Sequence, residues 1–144
     1  MSVTYTITYA KDTRSYQVPV MLSNGTKQHM GYGVLDTGAD CCGVTEEVAK
    51  DLGLKVIGEK TVRGATGELT VEPLYEMLLN VGMLDYRKVK AVRCRKGTDG
   101  SEVIIGKNFL DKCDIVITHP VGKTMISMRF STGDPMKFWD RNVD

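Results

Sequence analysis

Histidine is nearly absent from this chain. Of 144 residues only His29 and His119 carry an imidazole, too few and too scattered to build a metal centre or a catalytic triad. Cysteine is present but wrongly spaced for zinc, since Cys41, Cys42, Cys94 and Cys113 form no C-x-x-C pair. Vicinal Cys41 and Cys42 cannot bridge each other without backbone distortion, so four reduced, mostly buried thiols are the plain reading. Redox control is the sharper one, because Cys41 and Cys42 follow directly on an acidic turn. Excess charge is lacking too: 19 Lys and Arg against 18 Asp and Glu leave a net +1. That is no field to draw nucleic acid or a membrane surface, and Arg93, Arg95 and Lys96 read as a solvated basic turn. No apolar run approaches the ~18 residues of a membrane span. The first seven residues alternate polar and apolar instead of forming a signal-peptide core, which predicts a cytoplasmic protein. There is no Gly-x-Ser-x-Gly. Residues 100–107 imitate a phosphate loop, but their glycines are one residue too far apart and Asn108 stands where Ser or Thr is required.

What the chain does have is β patterning. Alternation predicts strands at residues 3–9, 16–22, 30–35, 74–81, 86–93, 102–105, 115–118 and 124–130. Asn24-Gly25 is a hairpin-turn dipeptide that returns the chain toward the third of these. One compact helix interrupts the pattern: Thr45 caps it, Glu46 and Glu47 suit its positive end, and Gly53 stops it. Val44, Val48 and Leu52 would share its buried side. Residues 61–71 form two short arms around a Gly64-Ala65-Thr66-Gly67 tip, an ordinary surface hairpin or a mobile one. Residues 131–144 read as a tail, although Phe138-Trp139 is unusual content for one and is expected to dock on something. The length suits one domain, residues 1–144, of the all-β class with one or two short helices.

The most informative stretch is Leu35-Asp36-Thr37-Gly38-Ala39-Asp40. It sets a carboxylate on a sharp Thr-Gly turn behind apolar Val34-Leu35, with backbone N–H groups and a hydroxyl around it. Such a site can hold a water and share a proton. Later, Val103-Ile104-Ile105-Gly106-Lys107-Asn108-Phe109-Leu110 is an apolar strand that breaks at glycine into a short helical segment. Together the two blocks resemble the retroviral-type aspartic proteases (retropepsins), over about residues 16–130.

The resemblance implies a closed acid-protease barrel with a flap hairpin, here residues 61–71. It implies catalysis by Asp36, Thr37 and Gly38, with Thr37 locking the site across a two-fold axis. Substrate would meet Ala39, Asp40, the flap residues Arg63, Gly64, Ala65, Thr66 and Gly67, and Ile105. It also implies an Asp40–Lys107 brace, with Lys in place of the more usual Arg. Peptide hydrolysis by carboxylates needs two of them sharing one proton, and this chain has one Asp-Thr-Gly. The expected protein is therefore a homodimeric aspartic endopeptidase whose dyad joins Asp36 from each subunit, acting on peptide or protein substrate without metal or organic cofactor. Two other readings stay open: a catalytically idle dimeric β domain that binds extended peptides, and thiol or metal chemistry at the cysteines. Whether residues 3–9 pair within the chain or with a partner is left undecided.

Overall fold

The structure, a computed structural model, describes residues 3–9 and 15–133. Along it run the strands β1 (Tyr5–Tyr9), β2 (Gln17–Ser23), β3 (Gln28–Leu35) and β4 (Cys42–Thr45), then helix α1 (Glu46–Leu52). After these come β5 (Lys55–Arg63), β6 (Leu69–Val81), β7 (Arg87–Cys94), β8 (Val103–Ile105), helix α2 (Lys107–Leu110), β9 (Cys113–Thr118) and β10 (Thr124–Phe130). The chain is all-β with two short helices, as its alternation predicts.

The strands form two sheets. The larger is ordered β2-β3-β8-β4-β7-β6-β5, and β2 also pairs with β6, so six strands close into a barrel with β5 flanking it. Closure follows from the faces. Val18, Val20 and Leu22 on β2 alternate inward and meet Met77, Leu79 and Val81 on β6, all of them buried. Val44, Val103, Ile105, Val89 and Ala91 fill the rest of the interior. The smaller sheet, β1-β10-β9, lays Ile126 and Met128 of β10 against this core. β1 pairs antiparallel with β10 of its own chain, from Tyr5↔Met128 to Tyr9↔Thr124, which answers the question the sequence left open.

Local signals act as their chemistry dictates. The Thr45 hydroxyl accepts from the Val48 N–H, Glu46 and Glu47 occupy the first turn of α1, and Gly53 ends it in the left-handed region at φ 61°. Asn24-Gly25 turns the chain but not as a two-residue loop. Asn24 keeps negative φ, and its side-chain oxygen takes the N–H groups of Thr26 and Lys27 in a four-residue connection. The Asn24 amide also donates to the Leu52 carbonyl at 2.6 Å, tying the hairpin to the end of α1.

Three elements depart from expectation. β4 is an additional strand, too short for its alternation to stand out. β5 begins at Lys55, where a bulge between Val56 and Gly58 breaks the period-two pattern. β6 is one long strand, so the hairpin arm and the strand after it are continuous through Pro73. That proline lies just past the last β6–β7 pair, Leu74↔Val92, where sheets tolerate a residue without an N–H. Phe138-Trp139 lies outside the described residues.

Candidate active site

Asp36 follows the last residue of β3, and two backbone bonds fix where it emerges. The Leu35 N–H donates to the Tyr16 carbonyl at 2.9 Å and the Asp36 N–H to the Ile105 carbonyl at 3.0 Å. The chain then turns sharply, with the Ala39 N–H on the Asp36 carbonyl at 3.2 Å. The Gly38 N–H reaches the carboxylate itself, at 2.9 Å from Oδ1. A side chain on Gly38 would place its Cβ 3.3 Å from that same oxygen. Asp36 and Ala39 are half-buried, whereas Thr37, Gly38 and Asp40 are exposed. One oxygen of a half-exposed carboxylate is thus held by a backbone donor on a turn open to solvent.

The turn rests on β8, which is threaded between β3 and β4. It runs parallel to β3 through Leu35↔Ile105 and antiparallel to β4 through Gly43↔Ile104. Ile105 has no exposed surface. Its side chain belongs to the core and only its carbonyl serves the turn, so it backs the site instead of lining a cleft as expected. Gly106 then meets the returning loop backbone to backbone. A Cβ there would stand 2.5 Å from the Cys41 carbonyl and 2.9 Å from the Ala39 oxygen. Its φ of −95° suits any residue, so space and not conformation demands glycine. The Lys107 N–H closes this contact on the Ala39 carbonyl at 2.8 Å.

Asn108 holds the loop after Asp36, a task that no local pattern in the sequence marks. Its oxygen accepts from the Cys42 N–H at 2.8 Å and its amide donates to the Lys90 carbonyl at 2.8 Å. It thereby clamps the loop after Asp36 to both α2 and β7. The adjacent thiols are quiet: burial raises the Cys41 pKa and pushes Cys42 up to about 11. Both are therefore thiols, not thiolates, near neutral pH.

The hairpin of β5 and β6 turns at Gly64–Glu68, with the Gly64 N–H on the Glu68 carbonyl at 2.8 Å and Gly67 at φ 90°, a conformation that favours glycine. The Thr66 hydroxyl bonds the Glu68 carboxylate and lowers its pKa. Arg63 bonds the Gly67 carbonyl across the tip, and Ala65, Thr66 and Gly67 are exposed. Alternation along β6 puts Leu69 and Val71 on the face that becomes the barrel interior at Tyr75, Met77 and Leu79. Yet both are 60% exposed, because the hairpin overhangs the barrel.

Two expectations about charge are corrected. Among the described residues no ion pair joins Asp40 to Lys107; the two segments meet through the Lys107 backbone instead. Arg93 lies in β7 and not in a solvated turn, and it pairs with Glu72 of β6 at 2.9 Å and Glu46 of α1 at 3.6 Å. His29 is also engaged, with Nε2 2.8 Å from Glu102 Oε1, across Gly31, where a Cβ would crowd the pair. Among the described residues, no group of three or more His, Cys, Asp and Glu is placed to hold a metal ion.

Residues 18–109 match the aspartyl protease family. Among solved structures, a retropepsin-like aspartic protease from Rickettsia conorii is similar at a TM-score of 0.55 and 13% identity, over 91% of this chain and 97% of that one. The retroviral protease-like domain of Ddi1 from Leishmania major matches at 0.46 and 15% identity, over 73% and 82%. None of the curated proteins matches the sequence. The family match spans well over half the chain, and the closed barrel behind Asp36 is a fold shared with the Rickettsia enzyme. This chain therefore belongs to the aspartyl protease family, and its fold is like that of the retropepsin-like Rickettsia structure.

Proposed function

We propose that the protein is an aspartic endopeptidase that acts as a homodimer, with Asp36 of each subunit meeting at the two-fold axis. The observation that carries this reading is the Gly38 N–H on Asp36 Oδ1, which orients one oxygen and leaves the other to face a second carboxylate. Two carboxylates so placed share one proton, because like charges at such range do not both ionise. The ionised one takes a proton from water as the water oxygen bonds to the scissile carbon. The protonated one donates to the carbonyl oxygen. Collapse of the tetrahedral intermediate then breaks the C–N bond, with a proton delivered to the leaving nitrogen.

Each neighbour has a place in this scheme. Thr37 braces the dyad across the axis, while Ala39 and Asp40 border the bound peptide. Arg63, Gly64, Ala65, Thr66 and Gly67 form the tip of a flap that closes on it. Substrate enters extended, as an added strand under the hairpin, and the overhanging apolar face of β6 favours apolar side chains beside the scissile bond.

The test is cleavage of a diverse peptide library from mildly acidic to neutral pH, wild type against Asp36→Asn, each with its sedimentation profile. Cuts should vanish in the variant while the dimer persists. A confirmed wild-type dimer that makes no cuts overturns the reading in favour of an idle peptide-binding domain.

A further inference from the structure

Three methionines from three different segments meet on the outside of the barrel. Alternation along β2 sends Val20 and Leu22 into the core and Met21 to the opposite face. Met21 is paired across the strands with Met30 of β3, and Cβ atoms of such a pair stand about 4.5–5.5 Å apart. On its other side Met21 is paired with Asn80 of β6. The Asn80 amide donates to the Leu84 carbonyl, and the Gly82 N–H donates to the Pro19 carbonyl at 2.9 Å. These two bonds fold the turn after β6 back over β2 and carry Met83 to the same place. Gly82 makes the turn at φ 58°, and a Cβ on it would stand only 2.4 Å from the Tyr5 ring. Met21, Met30 and Met83 thus line one hollow of about 210 Å³, with Tyr5 and Pro19 beside them.

The chemistry of the lining is narrow. No carboxylate, imidazole or thiol stands among these residues, and the Asn80 amide is already engaged by Leu84. What the three segments bring together is thioether sulfur. A neutral thioether is a poor donor for zinc, magnesium or calcium, and it suits soft Cu(I). A single positive charge also costs less than a double one to bring into apolar surroundings. Packing does not account for the trio. Met77 and Met128 show what packing does with methionine, since they are 2% and 0% exposed in the core, whereas Met30 and Met83 are each 75% exposed. Their unbranched side chains reach solvent and can turn their sulfurs toward a common point.

We propose that Met21, Met30 and Met83 form a three-sulfur site for a soft monovalent cation, Cu(I), with Ag(I) as its redox-inert counterpart. The bound ion ties β2, β3 and the turn after β6 together on the outer face of the barrel. Met30 precedes Asp36 by roughly 20 Å of extended chain, and the site does not depend on the proposed proteolysis.

The probe is silver nitrate, titrated in chloride-free buffer into the full chain isotope-labelled at its methionine ε-methyl groups. The methyl resonances of Met21, Met30 and Met83 should shift together and saturate together, while those of Met77 and Met128 stay in place. Each methyl reports its own sulfur, so silver taken up by the cysteines is not mistaken for the site. Met30→Leu and Met83→Leu keep an apolar side chain of similar volume and remove the sulfur. With far-UV circular dichroism unchanged, each should abolish the shift of the two methyls that remain. Zinc should move none of them. Methyls that stay in place under excess silver overturn the site. So do shifts that saturate separately, or that survive the loss of a partner sulfur, because these mark thioethers acting singly. A joint shift with zinc overturns the assignment to a soft cation.

Discussion

Asn108 bonds the loop after Asp36 to two other elements at once, so it is the side chain on which the shape of that loop most depends. Asn108→Ala leaves the Cys42 N–H without its partner and the Lys90 carbonyl with only the Cys41 thiol, at 3.3 Å. Unsatisfied groups of this kind cost about 1–3 kcal/mol, which should appear as a lower urea midpoint. Under the proposed function, peptide cleavage should lose more in kcat than in KM, because the carboxylate is displaced and not the substrate contacts. Unchanged midpoint and kcat would contradict the clamp. The residue is plain in the sequence as the end of Ile104-Ile105-Gly106-Lys107-Asn108, but its task is not, since its partner Cys42 stands 66 positions earlier. Gly106 teaches the same lesson. Its dihedral angles are ordinary, and only the opposing backbone of Cys41 and Ala39 explains it.

At the scale of elements, α1 is the most legible part of the molecule, because its cap, its acidic first turn and its terminal glycine are neighbours in the chain. The hairpin is half legible. Its tip is announced by Gly64 and Gly67, whereas its length and its anchoring are set elsewhere. Glu72 at the base of the hairpin is held by Arg93 from β7, which in turn reaches Glu46 of α1. The pair is partly exposed and screened by solvent, so Arg93→Ala should barely move the denaturation midpoint. Amide exchange across residues 55–71 should nevertheless quicken, because the hairpin loses its tie to the barrel. Exchange that stays as slow as in the wild type would show that Arg93 does not restrain it.

For the molecule as a whole, the buried thiol of Cys42 and the half-buried ones of Cys94 and Cys113 set a limit at alkaline pH. Burial pushes Cys42 up to about 11 and both Cys94 and Cys113 up to about 12, from an ordinary value of 9.0. The folded state thus holds protons that the unfolded chain releases. Its stability is complete below about pH 9 and is lost as the pH rises toward 11 to 12. Urea midpoints measured below pH 9 and near pH 11 should fall accordingly, and less steeply in a Cys94→Ser variant. A midpoint flat across that window would show that these thiols ionise as readily in the folded protein as in the unfolded chain.

Alternation along β2, β3, β7 and β10, the cap of α1 and the turn at Asn24 are matters between residues close in the chain, and the sequence by itself determined them. It also marked Asp36 and the Ile104-Ile105-Gly106 strand, because a carboxylate on a tight turn and an apolar run broken by glycine are local patterns. Tertiary structure decided what those patterns are next to. β8 is inserted between β3 and β4, β2 closes on β6, and β1 pairs with its own β10. The two segments meet through the Lys107 N–H on the Ala39 carbonyl and not through an Asp40–Lys107 charge pair, and Ile105 serves the site from inside the core. Backbone hydrogen bonds are alike for every strand, so they cannot select a partner. The choice falls to whichever pairing buries the inward faces together, and that is a property of the assembled barrel.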